Sequence, residues 1–167
     1  WFAGAVVNTC YNALDRHVAN GRADQVALIH DSPLTNSISK FTYAEMLKEV
    51  QTLAAILQDF GVTKGDRVIL YMPLVPEAVF AMLACARIGA VHSVVFAGFS
   101  AESLRDRVLD SGAKIVITAN EGLRGGRTLH LKEIVDRAVD GLSQVECVLV
   151  ARRTAADVAM HVGRDLW

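Results

Sequence analysis

Two different rhythms of apolar and polar positions divide this chain. From Arg67 onward, short continuous apolar runs alternate with amphipathic segments. Arg67-Val-Ile-Leu-Tyr-Met72 has no polar alternation, the pattern of a strand buried on both faces. Pro76 to Ile88 reads as a helix with proline in its first turn and Gly89 just past its end. Val91-His-Ser-Val-Val-Phe96 is the next strand, and Ser100 caps a helix running to about Asp110. Lys114 to Thr118 predicts a strand, Leu131 to Val139 a helix, and Val145 to Val150 a final strand. Strands and helices joined this closely imply right-handed crossovers, hence an α/β fold. The expected architecture is a mostly parallel sheet with helices on both faces, flavodoxin-like.

Upstream the pattern is less regular. Asn8 to Val18 carries Tyr11, Leu14 and Val18 at helical spacing, with Asn8 or Thr9 as the N-cap. Val26-Ala-Leu-Ile29 and Phe41-Thr-Tyr43 read as short strands around the turn-rich Asp31-Ser-Pro-Leu-Thr-Asn-Ser37. No helix separates them, so they are expected to pair outside the main sheet. An amphipathic helix follows from about Tyr43 to Phe60, with Met46, Leu47, Val50, Leu53, Ala54 and Leu57 as its apolar stripe and Gly61 beyond its end. The chain thus divides into 1–60, helices and short accessory strands, and 61–167, the parallel α/β part of a single unit.

Composition narrows the classes of function. The 167 residues are 52% hydrophobic, enough for a real core, and the net charge of −1 leaves no basic surface for nucleic acid. Cys10, Cys85 and Cys147 are widely spaced, which argues against a disulfide framework or zinc site and for a reducing compartment. The expected location is the cytoplasm, with the mitochondrial matrix as the alternative. No apolar stretch reaches membrane-spanning length. Trp1 and Trp167 place apolar residues at both ends, and the chain reads as a piece of a longer protein.

The candidate chemistry lies in Arg124-Gly-Gly-Arg127, placed between a strand and a helix. Guanidinium groups suit phosphate oxygens, and two glycines let a ligand approach the backbone closely. The carboxyl ends of parallel strands are where open α/β sheets bind ligands. On chemistry alone, a Gly-Gly loop with solvated arginines is the plainer reading. Other constellations have structural explanations. The histidines are scattered without convergent carboxylates, which argues against a metal centre. His92 and Ser93 point to opposite faces of their strand, so His92 is expected to be a hydrogen-bonded core residue. Ser100, Ser103 and Asp106 fit capping and surface charge, Cys85 fits close packing, and Asp15-Arg16-His17 fits pairing across the fold.

At their actual order and spacing, several runs resemble the amino-terminal part of a short-chain acyl-CoA synthetase, in the acetyl- and propionyl-CoA synthetase group of adenylate-forming enzymes. They are Trp1-Phe-Ala-Gly4, Asn8-Thr-Cys-Tyr-Asn12 with Asp15-Arg-His17, Lys64-Gly-Asp-Arg-Val68, Tyr71-Met-Pro73, Leu83-Ala-Cys-Ala-Arg-Ile-Gly89, His92-Ser-Val-Val-Phe96, Arg124-Gly-Gly-Arg127 and Gly163-Arg-Asp165. The resemblance implies ATP-dependent, AMP-forming activation of acetate or propionate and transfer of the acyl group to CoA. Asp31 to Asn36 resembles the propionyl-type members and leans the expectation to propionate.

The same resemblance implies that Arg124, Gly125, Gly126 and Arg127, with Phe96, Ala97 and Gly98, seat the nucleotide end of CoA. Ala97 and Ala5 depart from the usual glycine of that family. The Thr/Ser/Gly-rich phosphate loop is absent from this sequence, as are the acyl pocket and the catalytic lysine of the carboxyl-terminal domain. The sites for ATP and Mg are therefore expected outside this chain, no catalytic or metal-binding residue is assigned within it, and the chain alone is expected to be inert. Expected partners are small molecules and the rest of its own chain, with neither nucleic acid nor membrane. The alternative is a non-catalytic flavodoxin-like domain whose arginine loop meets a protein or a phosphorylated ligand.

Overall fold

The computed structural model describes residues 3–33 and 35–167. Trp1 and Phe2 of the first resembling run, and Leu34 of the turn-rich connection, lie outside the described residues.

Among the described residues, nine strands form three sheets. β1 (Val26–Ser32) and β2 (Ser37–Thr42) pair antiparallel by themselves, as the lack of an intervening helix predicts. The main sheet joins β3 (Arg67–Met72), β4 (Val91–Phe96), β5 (Ile115–Ala119), β8 (Cys147–Ala151) and β9 (Asp165–Leu166). Their order is β4-β3-β5-β8-β9 and every pairing is parallel. This is the flavodoxin-like order, whose direction of winding reverses between β3 and β5. β6 (Gly122–Arg124) and β7 (Arg127–Leu129) form a separate antiparallel pair above it.

The helices cover both faces. α1 (Tyr43–Asp59) and α2 (Pro76–Ile88) pack with Val68, Leu70, Met72, Ile115, Ile117 and Leu149 on one face. α3 (Ala101–Ser111) and α4 (Leu131–Val139) pack with Ile69, Tyr71, Val116, Val148 and Val150 on the other. Successive strand residues thus enter opposite cores, which is why these runs show no polar alternation. α1 starts where Thr42 Oγ1 accepts the Glu45 N–H and the Glu45 carboxylate accepts the Thr42 N–H. Its buried residues are Met46, Val50, Ala54 and Leu57, each large one contributing about 1.5–3 kcal/mol on full burial. Leu47 and Leu53 lie at the margin of that stripe.

Residues 9–22 form an irregular helix with π-helical turns at Tyr11–Asp15 and Val18–Arg22. Asn8 caps it, its Oδ1 accepting the Tyr11 N–H at 3.0 Å, and its amide donates to the Ala86 and Arg87 carbonyls. Asp15 accepts from Arg87 at 2.8 Å, so the first helix is tied to the end of α2. The inward residues are Cys10 and Leu14, four apart, whereas Tyr11 is exposed.

His92 is a correction. It is exposed, not a core residue, because β4 is the sheet's edge and also leaves Val91, Val94 and Phe96 exposed. An apolar run identifies a strand without revealing whether it has one neighbour or two.

Candidate functional site

The Arg124–Arg127 segment is not an open loop but the tip of the β6–β7 hairpin. Gly125 (φ 56°) and Gly126 (φ 73°) both occupy the left-handed region, the requirement of a two-residue turn matched to strand twist. Arg124 and Arg127 consequently stand directly opposite each other in register. Like charges so placed repel. Neither is in an ion pair with a carboxylate among the described residues.

Arg124 turns toward the β4–α3 connection. Its guanidinium carbon lies 5.2 Å from the centre of the Phe96 ring, a cation–π distance. Gly98 lies beneath it at φ 110°, and a Cβ there would sit 3.2 Å from Arg124 Nη1 and 3.4 Å from Leu129 Cδ1. Position 98 therefore favours glycine on backbone grounds, and a side chain there would also press on the Arg124 guanidinium. Ala97 is not among the positive-φ residues, so its methyl group is accommodated without backbone strain. Arg127 shares the hairpin but does not line the crevice described next.

That crevice has a volume of about 270 Å³ and sits at the carboxyl ends of β3 and β4. Met72, Pro73, Leu74, Val95, Phe96 and Ala97 form its apolar wall, and Gly122, Leu123 and Arg124 bring the hairpin to it. Arg153 also lines it. The site thus occupies the end of the sheet next to the point where the winding reverses, the usual ligand position of this architecture.

Two buried polar residues shape the site without any signal in a motif. The Tyr71 hydroxyl donates to the Phe99 carbonyl at 2.8 Å and accepts the Gly98 N–H at 3.0 Å, fixing the 96–99 turn from the central strand. Burial pushes the Tyr71 pKa upward, and the Gly98 N–H opposes that. Asn120, fully buried just past β5, accepts the Arg153 N–H at 2.9 Å and donates to Thr154 and Ala156. It thereby sets the chain leaving β8. A tyrosine in an aliphatic strand was the only clue to the first, since a buried phenol needs a partner.

Among the described residues, Asp136, His161 and Asp165 form a group with metal-ligand spacing. Lys132 Nζ lies 2.6 Å from Asp165 and 2.7 Å from Asp136, and Arg164 Nε lies 2.6 Å from Asp165. Two cations already neutralise the two carboxylates, so the cluster is an ion-pair network. Burial pushes Asp165 up, but hydrogen bonds from Arg164, the His161 N–H and Lys132 hold its pKa at about 2. Ser100 and Ser103 serve α3, the Ser103 N–H donating to Ser100 Oγ, and no triad forms. Cys85 is buried with its thiol pushed up to about 12, a packing residue without nucleophilic character. No helix among the described residues is long and apolar enough to cross a membrane.

Residues 14–164 match the family model described as AMP-binding enzyme. The chain is 52% identical over 167 residues to acetyl-coenzyme A synthetase 2 of Pseudomonas putida, covering all of this chain and 26% of that protein. It is 48% identical to acetyl-coenzyme A synthetase of Alcanivorax borkumensis, with the same coverage. The solved acetoacetyl-CoA synthetase of Streptomyces lividans superposes with a TM-score of 0.84 at 29% identity, over 99% of this chain and 25% of that one. The chain therefore spans about a quarter of the length of the relatives it matches. It belongs to the AMP-binding enzyme family.

Proposed function

We propose that this member of the AMP-binding enzymes is the amino-terminal part of a short-chain acyl-CoA synthetase, and that its crevice receives the nucleotide end of CoA. The full-length protein would join acetate or propionate to CoA through an acyl-adenylate, with ATP and Mg bound by segments outside this chain. The observation that carries the CoA reading is the opposed Arg124–Arg127 pair beside an apolar crevice. Two arginines opposed across a tight turn suit an anionic ligand, and the Phe96 wall offers a flat apolar surface to a base. Phe96, Ala97, Gly98 and Gly125–Gly126 then contribute surface and close approach rather than charge. By itself the chain supplies no positioned donors for a triphosphate and would form no acyl-CoA. A cytoplasmic location accords with the cysteine pattern.

The Pseudomonas putida and Alcanivorax borkumensis relatives are acetyl-CoA synthetases, which supports acetate as the acid. The Asp31–Asn36 segment supports propionate, although its Thr35 lines a smaller separate cavity and not the crevice. Specificity constants of the full-length protein for acetate, propionate and butyrate decide between them. The CoA reading is tested by Arg124→Ala in the same protein. The apparent KM for CoA should rise about tenfold or more, the value of a lost charge-assisted contact. Pyrophosphate exchange driven by the carboxylate should be unchanged, because CoA takes no part in it. A parallel fall in exchange would assign the hairpin to the ATP site or to structure.

A further inference from the structure

We infer that Arg153 is a second anion-binding residue of the crevice, contacting the phosphates of the same CoA molecule. The inference rests on the CoA reading of the crevice and adds a residue that no motif marks.

Among the described residues, Arg153 is the only other cation lining the crevice besides Arg124, and no acidic residue lines it. Arg153 also lines a second cavity of about 180 Å³, together with Glu77 and His30. It is in no ion pair with a carboxylate among the described residues. Its Nε is fully enclosed and has no hydrogen-bond partner. Burial lowers its pKa, with Glu77 acting in the opposite sense from a distance. A guanidinium cannot shed its proton at ordinary pH, so a half-buried one without a counter-ion is costly unless a ligand supplies it.

Its placement is built and not incidental. Asn120 accepts the Arg153 N–H and holds the following turn through Thr154 and Ala156. The Arg153 guanidinium passes beside Gly122, where a Cβ would be in ordinary contact with Arg153 Nη1 at 3.8 Å. Gly122 and Arg124 lie two residues apart on β6, on one face and separated by about 7 Å. One guanidinium group thus lies beside Gly122 and the other belongs to Arg124, and both line the same crevice. Two cations in one crevice suit a ligand with phosphates at more than one position. CoA has this chemistry in its diphosphate and 3′-phosphate.

The test compares two acyl acceptors in the full-length enzyme: CoA and pantetheine, which has the thiol but no nucleotide or phosphate. Arg153→Gln should lower kcat/KM for CoA about tenfold and leave that for pantetheine and the pyrophosphate exchange rate unchanged. Arg153→Lys, which keeps bulk and charge, should show the same selectivity with a smaller loss, and it serves if the glutamine variant is unstable. Equal losses for the two acceptors, or no loss for CoA, would overturn the role of Arg153. Arg124→Ala is the control. If it discriminates CoA from pantetheine and the Arg153 variants do not, the crevice holds CoA without Arg153. If none of these variants discriminates, the CoA reading of the crevice falls together with this inference.

Discussion

Two cationic clusters sit at different ends of the fold and stand in opposite electrostatic circumstances. Near β9, Lys132 and Arg164 are met by Asp136 and Asp165, and the Ala159 carbonyl takes a further Lys132 hydrogen bond. At the crevice and its hairpin, Arg124 and Arg153, which line it, and Arg127 at the hairpin tip are met by no carboxylate among the described residues. The first cluster is internally neutral and fully buried at Lys132, so it fastens the fifth strand and its approach, residues 159–165, to α4. The second places Arg124 and Arg127 in register across the hairpin, both exposed, an arrangement that like-charge repulsion disfavours. Under the proposed function, the first cluster is structural and the second receives an anion.

Breaking the completed cluster should have the largest effect. Lys132→Met removes the buried cation and leaves Asp136 and Asp165 to share Arg164, a loss of about 3–5 kcal/mol. Hydrogen exchange in the full-length protein should show faster exchange across α4 and β9, with the hairpin unaffected. Unchanged protection there would mean the network carries no stability.

Next comes its pH dependence. Asp165 has a folded pKa of about 2, below its unfolded value near 3.8, so it stabilises the fold above the unfolded pKa and loses that contribution as pH falls toward 2. The full effect is about 2–3 kcal/mol. The protection difference between the full-length protein and its Asp165→Asn variant should therefore shrink between about pH 4 and pH 2. A difference constant over that window would contradict the assigned charge state.

A smaller effect is expected at Gly98. Gly98→Ala introduces about 1–3 kcal/mol of local strain under Arg124, and should raise the KM for CoA several-fold without altering pyrophosphate exchange. Ala97→Gly, at a position without positive φ, should shift it by less than about twofold. Reversed sensitivities would place the close ligand approach at residue 97.

The smallest effect has the opposite sign. Arg127→Thr relieves repulsion with Arg124 and should protect the hairpin amides by about 0.2–1 kcal/mol while weakening CoA binding. A loss of protection would show that Arg127 is structural and would merge the two clusters into one class.

Much of this was legible from local pattern. Pro76, Ile88 and Gly89 bounded α2, Leu131 and Val139 bounded α4, and the apolar run of β3 gave its limits, because caps, proline and strand burial act over a few residues. The α/β alternation implied the sheet, and Arg124-Gly-Gly-Arg127 announced the chemistry. The hairpin was missed although two adjacent glycines favour its turn, because its three-residue strands are too short to show alternation.

What tertiary structure alone decided is which groups meet. His92 became exposed because β4 found one neighbour. Lys132 became buried because residues 159–165 cross over it from the far end of the chain. Arg153 reached Gly122, and Tyr71 reached Gly98, over separations of about thirty residues. Local sequence sets backbone preference through short-range sterics and hydrogen bonding. Burial and charge compensation depend on partners brought together by the sheet order, and no window along the chain contains both halves of such a pair.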